Sequence, residues 1–330
     1  MTLNEIKKNN VENKKQNGII NLNDPLLMAL KAVNFISGSS MEEADLKRHR
    51  KVMERAGKLA APKGDIDVTP FTVGKIKCEA VRPHLAHNPE YAILYAHGGG
   101  YVTGRLDYAR ILAAKLAIST GFTTYSFDYR LAPEHPYPAA IHDGKAVWDF
   151  LTKEAYAPDH VFVAGDSAGG NLALCLAEDL LSEGREVPKG LLLFSPWTDM
   201  TGTSETYETN KDRDPILTKE YVMGAAKAYT AGEGELSDPR FSPLFGKLDG
   251  LPHTLIMCGR NGILLDDSVR LYDMMTKAGG KATLDIEENG WHVYQQMPLP
   301  IAAQAMKRLS AYVSSEVYKT DKKCFLEIQK

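Results

Sequence analysis

Short apolar runs alternate with segments of helical periodicity along most of the chain. The runs are short enough for buried strands, whereas the segments between them carry apolar residues at a helical spacing. Strands that alternate with helices of this length predict an α/β fold with a mostly parallel, doubly wound sheet. The predicted strands lie at 91–96, 123–127, 161–164, 190–194, 254–257 and 282–287, and the predicted helices at 107–120, 139–153, 171–181, 266–278 and 299–318.

Other segments flank or interrupt this alternation. Residues 66–73 and 76–82 predict an antiparallel hairpin at a sheet edge, with its turn at Gly74. Two helices are predicted before it, one at 24–36 that starts with Asp24-Pro25 and one at 40–58. The alternation stops between 200 and 246, a stretch too long for an ordinary connection, so an insertion with a helix at 218–229 is predicted there. The expected organisation is therefore N-terminal helices (1–60), a first core part (61–199), the insertion (200–246) and a second core part (247–330).

Composition and charge exclude several classes of partner. The chain has 330 residues, of which 44% are hydrophobic and 25% charged, with a formal net charge of −3. This balance argues against nucleic acid as a partner, and no run reaches the roughly 18 apolar residues of a membrane span. The polar N-terminus has no apolar signal region, and the four cysteines show no metal-ligand spacing, so a cytoplasmic protein with reduced thiols is expected.

The run Gly-Asp-Ser-Ala-Gly at 165–169 fits the nucleophile-elbow pattern, with a predicted strand before it and a helix after it. The serine must stand on a sharp turn to project into a cleft, and side chains at the two glycines would collide with neighbouring elements. The turn also places the Ala168 N–H at a helix N-terminus, where it can stabilise an oxyanion. The alternative is a glycine-rich strand-to-helix turn without chemistry.

A serine nucleophile needs a histidine as base and then as acid for the leaving group. His292 follows a late predicted strand, and the order serine then histidine is that of α/β-hydrolases. Taken alone, His292 is more simply explained as a loop histidine than as a catalyst; its place downstream of the elbow reverses this and favours the catalytic interpretation. The glycines after His97 can offer further backbone donors.

Several motifs together resemble the hormone-sensitive-lipase-like family of α/β-hydrolases, the bacterial carboxylesterases with a His-Gly-Gly-Gly motif. They are His-Gly-Gly-Gly at 97–100, Asp-Tyr-Arg-Leu-Ala-Pro-Glu at 128–134, Gly-Asp-Ser-Ala-Gly-Gly at 165–170, Ser-Pro-Trp-Thr-Asp at 195–199 and His292. The resemblance implies an α/β-hydrolase fold with a helical cap formed by the N-terminal helices and the insertion. It implies an oxyanion hole from the N–H groups of Gly99, Gly100 and Ala168, with His97 holding that loop. It further implies hydrolysis of short-chain acyl esters without cofactor or metal, and a homodimer.

The family's catalytic acid is where this chain departs from the pattern. The stretch after the penultimate predicted strand reads Gly-Arg-Asn-Gly-Ile-Leu-Leu-Asp-Asp at 259–267, which puts Gly262 where the acid is expected. Asp266 lies about one helical turn further on, and its family equivalent is a carboxylate at a helix N-terminus. Asp199 follows the preceding strand, from which some α/β-hydrolases take their acid. The third alternative is that no acid is present.

The sequence thus predicts a serine carboxylesterase acting on a small-molecule ester, with Ser167, His292 and either Asp266 or no acid. The alternative is a non-catalytic small-molecule-binding protein on the same scaffold. Two further groupings are predicted. One is a charged network that pins the Pro-rich loop and consists of Asp128, Arg130, Glu134 and Asp143. The other is a set of aromatic residues that either line the acyl pocket or form the cap core: Trp197, Tyr207, Tyr221 and Tyr229.

Overall fold

The computed structural model describes residues 41–60 and 64–328, with side chains described as far as Tyr318. The predicted helix at 24–36 lies outside these residues. The helices are α1 Glu43–Ala60, α2 Leu106–Thr120, α3 Ala139–Glu154, α4 Ala168–Ser182, α5 Thr206–Thr209, α6 Lys219–Thr230, α7 Leu265–Lys277 and α8 Pro300–Ile328. The strands are β1 Ile66–Val73, β2 Ile76–Pro83, β3 Ala92–Ala96, β4 Thr123–Phe127, β5 Val161–Asp166, β6 Gly190–Phe194, β7 Thr254–Gly259 and β8 Ala282–Glu287.

The eight strands form one sheet in the order β1-β2-β4-β3-β5-β6-β7-β8. β1 and β2 form the expected antiparallel hairpin at one edge, and β2 pairs antiparallel with β4. The six strands from β3 to β8 run parallel to one another. The predicted mostly parallel, doubly wound sheet of an α/β-hydrolase is therefore confirmed.

The central strands are apolar on both faces because helices cover both. Along β3, Leu94 points into one hydrophobic core with Trp148 of α3 and Leu172 of α4. Its neighbour Ile93 points into the opposite core, where it packs with Leu112 of α2 and with apolar side chains of α8. Successive strand residues face opposite sides, so a continuous apolar run is what a sheet covered on both faces requires.

The strand order reverses between β3 and β5. From β3 the chain continues to β4 on one side, and later returns to β5 on the other. The connections after these two strands therefore diverge and leave a crevice at their carboxyl ends, where ligands bind in open α/β sheets. His97 follows β3 and Ser167 follows β5, so both candidate motifs open onto this crevice.

α1 is attached to the core at this end of the sheet. Gly57 brings α1 against α2 so closely that a Cβ there would lie 2.4 Å from the carbonyl carbon of Asp107. Arg50 donates hydrogen bonds to the carbonyl oxygens of Val102 and Ala132 at 2.7 and 2.9 Å. Its guanidinium also forms a bidentate pair with Glu134 at 2.7 and 2.8 Å. The helix is thereby fixed to the loop that follows the glycine motif.

The predicted charged network around the Pro-rich loop divides into separate pairs. Arg130 binds Asp143 at 2.7 Å within the loop region, as expected. Glu134 instead pairs with Arg50 of α1, and Asp128 lies 3.6 Å from Arg105. The sequence could not show this, because the partner of Glu134 is 84 residues away in the chain.

The described residues bear on two other expectations. Cys78, Cys175 and Cys258 are buried free thiols. Across the residues described, no helix combines the length and the apolar character needed to traverse a bilayer. In the same part of the chain, no three His, Cys, Asp or Glu side chains come together as metal ligands.

Candidate active site

Ser167 stands on a strained turn between β5 and α4. Its φ of 54° and ψ of −120° are unfavourable for a residue with a side chain. The turn is held because the Ser167 N–H donates to Phe194 O at 2.9 Å and its carbonyl accepts from the Asn171 N–H at 3.1 Å. Ala168 begins α4, so its N–H is one of the first amides of a helix and has no acceptor within that helix.

The two glycines of the motif allow this turn through close backbone contacts. A Cβ at Gly165 would lie 2.0 Å from Gly169 O, and one at Gly169 would lie 2.0 Å from Ala96 O. Any larger residue would push α4 away from β3 and β5. The steric reason for the motif that the sequence suggested is therefore present in the structure.

The loop after β3 lies next to the elbow and is tied to it by Asp166. The Asp166 carboxylate accepts hydrogen bonds from the Gly98 N–H at 2.8 Å and the Tyr95 hydroxyl at 2.5 Å. Gln296, four residues after His292, donates to its other oxygen at 3.2 Å. Burial raises the pKa of Asp166 to about 6. One buried carboxylate thus joins the glycine loop, the elbow and the segment that follows His292.

His97 packs under the same loop. Its ring stacks on Tyr129 with centroids 4.2 Å apart, and the Tyr129 hydroxyl donates to His97 O at 2.6 Å. The His97 Nδ1 lies 2.8 Å from Gly98 O, and burial lowers the pKa of the imidazole to about 4. These contacts are those of a neutral histidine that supports the loop.

His292 lies on the loop after β8 and is only 4% exposed. The Val293 N–H donates to Ser195 Oγ at 3.2 Å, which fixes the loop against the end of β6. Burial lowers the pKa of His292 to about 3 and is the sole cause of that shift. Among the described residues, no group hydrogen-bonds to the buried Nδ1. An imidazole in a catalytic triad would bind a carboxylate through this atom.

Gly262 lies directly beside His292. A Cβ at Gly262 would lie 3.2 Å from His292 N and 3.5 Å from its Cα. Asn210 donates to Gly262 O at 2.9 Å, and Asp214 accepts from the Ile263 N–H at 2.9 Å. The 200–246 segment thus holds the backbone of the loop in which the acid was expected.

The two aspartates considered from the sequence have other partners. Asp266 is in the first turn of α7, where its carboxylate accepts from the Thr206 N–H at 3.2 Å. Asp199 accepts from Arg270 at 2.5 Å and from the Thr201 hydroxyl at 2.6 Å. Asp266 thus joins α7 to α5, and Asp199 joins the loop after β6 to α7.

Ser167, His292 and the glycine loop line one central cavity of about 310 Å³. α1 contributes one wall through a helical stripe, and α6 and its preceding loop contribute another. Apolar side chains dominate; they are Val52, Met53, Ala56, Ala60, Ile111, Trp197, Ile216, Leu217, Val222, Ala225, Leu264, Val293, Met297 and Pro298. No Asp, Glu, Lys or Arg of the described residues lines the cavity. The cavity therefore suits an uncharged, largely apolar ligand.

The four aromatic residues singled out in the sequence divide into two groups. Trp197 and Tyr221 line the central cavity. Tyr229 stacks on Tyr101 with centroids 3.8 Å apart and is buried, as is Tyr207. The sequence left the pocket and the core as alternatives, and both occur.

Gln296 is a candidate site residue that sequence reasoning missed, whereas Tyr221 was singled out from the sequence but not for its contact with the glycine loop. The Tyr221 hydroxyl donates to Gly99 O at 3.3 Å, so α6 reaches the glycine loop. Gln296 reaches Asp166 from the loop after His292. Neither residue belongs to a recognisable motif. The one signal in the sequence is that Asp166, the partner of Gln296, directly precedes Ser167.

Comparison with known proteins finds esterases and acetyl-hydrolases of the same fold. A family model described as the alpha/beta hydrolase fold matches residues 93–296. An esterase of Acinetobacter venetianus is 33% identical over 268 residues, which cover 81% of this chain and 88% of that protein. An acetyl-hydrolase of Streptomyces hygroscopicus is 33% identical over 269 residues, covering 80% and 86%.

Solved structures give the same result. An esterase from the bacterial hormone-sensitive lipase family is 30% identical with a TM-score of 0.82, over 89% of this chain and 99% of that one. An esterase/lipase from an uncultured bacterium is 34% identical with a TM-score of 0.81 over the same shares. The chain therefore belongs to the α/β-hydrolase family and is of the hormone-sensitive-lipase-like kind. Its enzyme class is that of the carboxylic-ester hydrolases.

Proposed function

We propose that this protein hydrolyses short-chain acyl esters through Ser167 and His292 without a carboxylate on the histidine. The observation that carries the proposal is the buried His292 Nδ1, which has no partner among the described residues and belongs to a cavity shared with a serine on a strained elbow. We further propose that the Ala168 N–H and those of Gly99 and Gly100 form the oxyanion hole.

The reaction divides into two steps. In the first, Ser167 Oγ attacks the ester carbonyl carbon while His292 Nε2 takes the hydroxyl proton, and the alcohol leaves with that proton. In the second, a water molecule transfers a proton to His292 and attacks the acyl group, which releases the acid and restores Ser167. In both steps the negative charge forms on the carbonyl oxygen, where the three N–H groups stabilise it.

The missing carboxylate determines the expected rate. In a complete triad the acid holds the correct tautomer of the histidine and stabilises the imidazolium. Its loss from a serine triad costs on the order of 10⁴ in turnover but leaves catalysis well above that in water. A slow esterase is therefore expected rather than an inactive protein.

We also propose that α1 and the 200–246 segment together act as the cap. Both line the central cavity, α1 through residues such as Val52 and the segment through Val222 of α6. The substrate is then an uncharged small ester enclosed between cap and core, with neither cofactor nor metal in the chemistry proposed.

The test is hydrolysis of p-nitrophenyl acetate and butyrate by the wild-type chain beside Ser167→Ala, Gly262→Asp and Asp266→Asn. Slow hydrolysis that Ser167→Ala abolishes, Gly262→Asp raises and Asp266→Asn leaves unchanged supports the proposal. Loss of activity in Asp266→Asn would instead make Asp266 the acid. No Ser167-dependent turnover in any variant would overturn the proposal.

A non-catalytic binding protein is the second candidate, favoured because no described residue is a partner of His292 Nδ1. A fluorophosphonate probe separates the two candidates. A serine activated by His292 reacts with the probe, and Ser167→Ala removes the labelling. A binding protein with an inert serine remains unlabelled.

A further inference from the structure

A second apolar depression adjoins the central cavity. We call it the outer groove; it lies between α2, α8 and the segment that joins His292 to α8. Its apolar lining consists of Ile118, Met297, Pro298, Leu299, Pro300, Ala302, Ala303 and Met306. Met297 and Pro298 also line the central cavity, so the cavity and the groove adjoin at these two residues.

One face of α2 continues from the central cavity into the outer groove. Tyr108 and Ile111 line the cavity, and Lys115 and Ile118 line the groove. Their spacing of three and four residues places them on the same face of the helix, and from Tyr108 to Ile118 the axis rises about 15 Å. A chain that leaves the central cavity at Met297 and Pro298 would therefore meet the outer groove.

The Lys115 ammonium, which belongs to this face of α2, is hydrogen-bonded and is not a free charge in the groove. Its ammonium donates to the carbonyl oxygens of Gln295 and Met297 at 2.7 and 2.8 Å. The methylene groups of its side chain are left to line the groove, as long cationic side chains commonly do. Beyond it, Ile118 is 44% exposed, an apolar side chain at the outer end of the path.

We propose that the outer groove binds the distal part of a long alkyl chain on the ester, so that long-chain esters are substrates as well as short-chain ones. The proposal rests on the proposed esterase function. Because apolar side chains of α2, α8 and the 297–300 segment line the groove, each methylene group that enters it leaves water without losing a polar contact. A two- or four-carbon chain does not need the groove.

The test compares p-nitrophenyl decanoate with p-nitrophenyl butyrate, and decyl acetate with ethyl acetate, below the concentrations at which the long esters aggregate. Ile118→Glu places a charge in the groove, and Ala303→Phe fills it from α8. Gln304→Phe is the matched control, because Gln304 is exposed on the same helix but does not line the groove. The readout is the ratio of kcat/KM for the long ester to that for the short one.

Both groove variants are expected to lower this ratio about tenfold for one of the two pairs, the discrimination that a single methylene group gives in an apolar pocket. Gln304→Phe should leave it unchanged. The pair that responds shows whether the acyl or the alcohol chain occupies the groove. A ratio that stays at the wild-type value for both pairs overturns the proposal, as does a wild-type enzyme that hydrolyses only the short esters. If Ile118→Glu converts a dimer to a monomer in size-exclusion chromatography, the groove binds a second copy of the chain instead, which overturns the proposal.

A binding measurement separates this proposal from the esterase proposal. Ser167→Ala protein is titrated calorimetrically with 1-decanol, with and without Ile118→Glu. An affinity about tenfold weaker in the double variant supports the groove even if no ester is hydrolysed. Equal affinities overturn the groove and leave the proposal for Ser167 intact.

Discussion

The Cβ position of Gly262 lies 3.2 Å from the backbone nitrogen of His292, and the imidazole Nδ1 has no partner among the described residues. The carboxylate of a serine triad binds its histidine through Nδ1. The loop that would carry it is present: Asn210 and Asp214 bond to the backbone of residues 262 and 263. What is missing is therefore a side chain rather than the local structure.

Gly262→Asp is expected to raise kcat for p-nitrophenyl butyrate by about 10²–10⁴, because a carboxylate would stabilise the imidazolium of His292. The gain is expected below the upper value, since a Cβ at 3.2 Å requires a small shift of the loop. Steady-state kinetics measure the effect.

Gly262→Asn is the control, because the amide has the shape of the carboxylate without its charge. It should give a much smaller gain, with thermal unfolding confirming that both variants fold. Equal kinetics for the two variants would contradict this role for the position.

The pH profile of the wild-type enzyme should lack the usual fall near pH 6.5. Burial lowers the pKa of His292 to about 3, so the neutral base is present throughout the range above that value. We expect kcat/KM to stay level from pH 7 down to about pH 5.

In Gly262→Asp the new negative charge favours the imidazolium, so the pKa of His292 rises and the acid limb moves to higher pH. Initial rates across this pH range measure both profiles. A wild-type acid limb already near pH 6.5 would show that His292 is more solvated in solution or has an anionic partner.

Asp166→Ala is expected to lower kcat about 10²-fold with little change in KM. The substitution removes the acceptor that Gly98 N–H and the Tyr95 hydroxyl share, which frees the glycine loop from the elbow. Donors that are no longer held toward the oxyanion stabilise the transition state less.

Asp166→Asn tests whether the acceptor is what matters. The amide oxygen can still accept from Gly98 and Tyr95, so most of kcat should return. A purely structural loss would appear as a lower thermal midpoint with kcat unchanged once folded protein is counted, and it would contradict a positioning role.

Arg50→Met should destabilise the protein at pH 7 by about 1–2 kcal/mol. Arg50 bonds two carbonyl oxygens and Glu134, and a typical hydrogen bond contributes about 1 kcal/mol. The Glu134 side chain is 51% exposed, so solvent screens the ion pair and its share is put at ~0.5 kcal/mol.

The ion pair gives this effect a pH dependence. Hydrogen bonds from Arg50 lower the pKa of Glu134 from 4.5 to about 2. A lowered pKa means that the stabilisation is present above pH 4.5 and is lost as the pH falls toward 2. The free energy lost in Arg50→Met should therefore shrink over this range in urea unfolding.

Arg48→Met on the same helix is the control, because the pair that Arg48 forms within the described part of the chain is an exposed one, with Asp45. It should change stability by less than about 0.5 kcal/mol. An Arg50→Met variant no less stable than Arg48→Met would show that the contact does not hold α1 to the core.

The sequence by itself determined the fold class and the elements of the core. The strand and helix pattern needs only periodicity, because a buried strand in a doubly covered sheet is apolar throughout. The elbow and the glycine motif were recognisable because their sterics demand particular residues at fixed spacing. The departure at Gly262 was also visible in the sequence, since it lies inside a motif.

Which distant groups meet is visible only in the folded protein. Within the described part of the chain His292 Nδ1 has no partner, Glu134 pairs with Arg50 of α1, and Asp166 joins three separate loops. Residues far apart in the chain are brought together by the packing of helices on the sheet, and no local pattern encodes such pairs. For the same reason the position of the outer groove beside the central cavity depends on how α2 and α8 pack, which their sequences do not reveal.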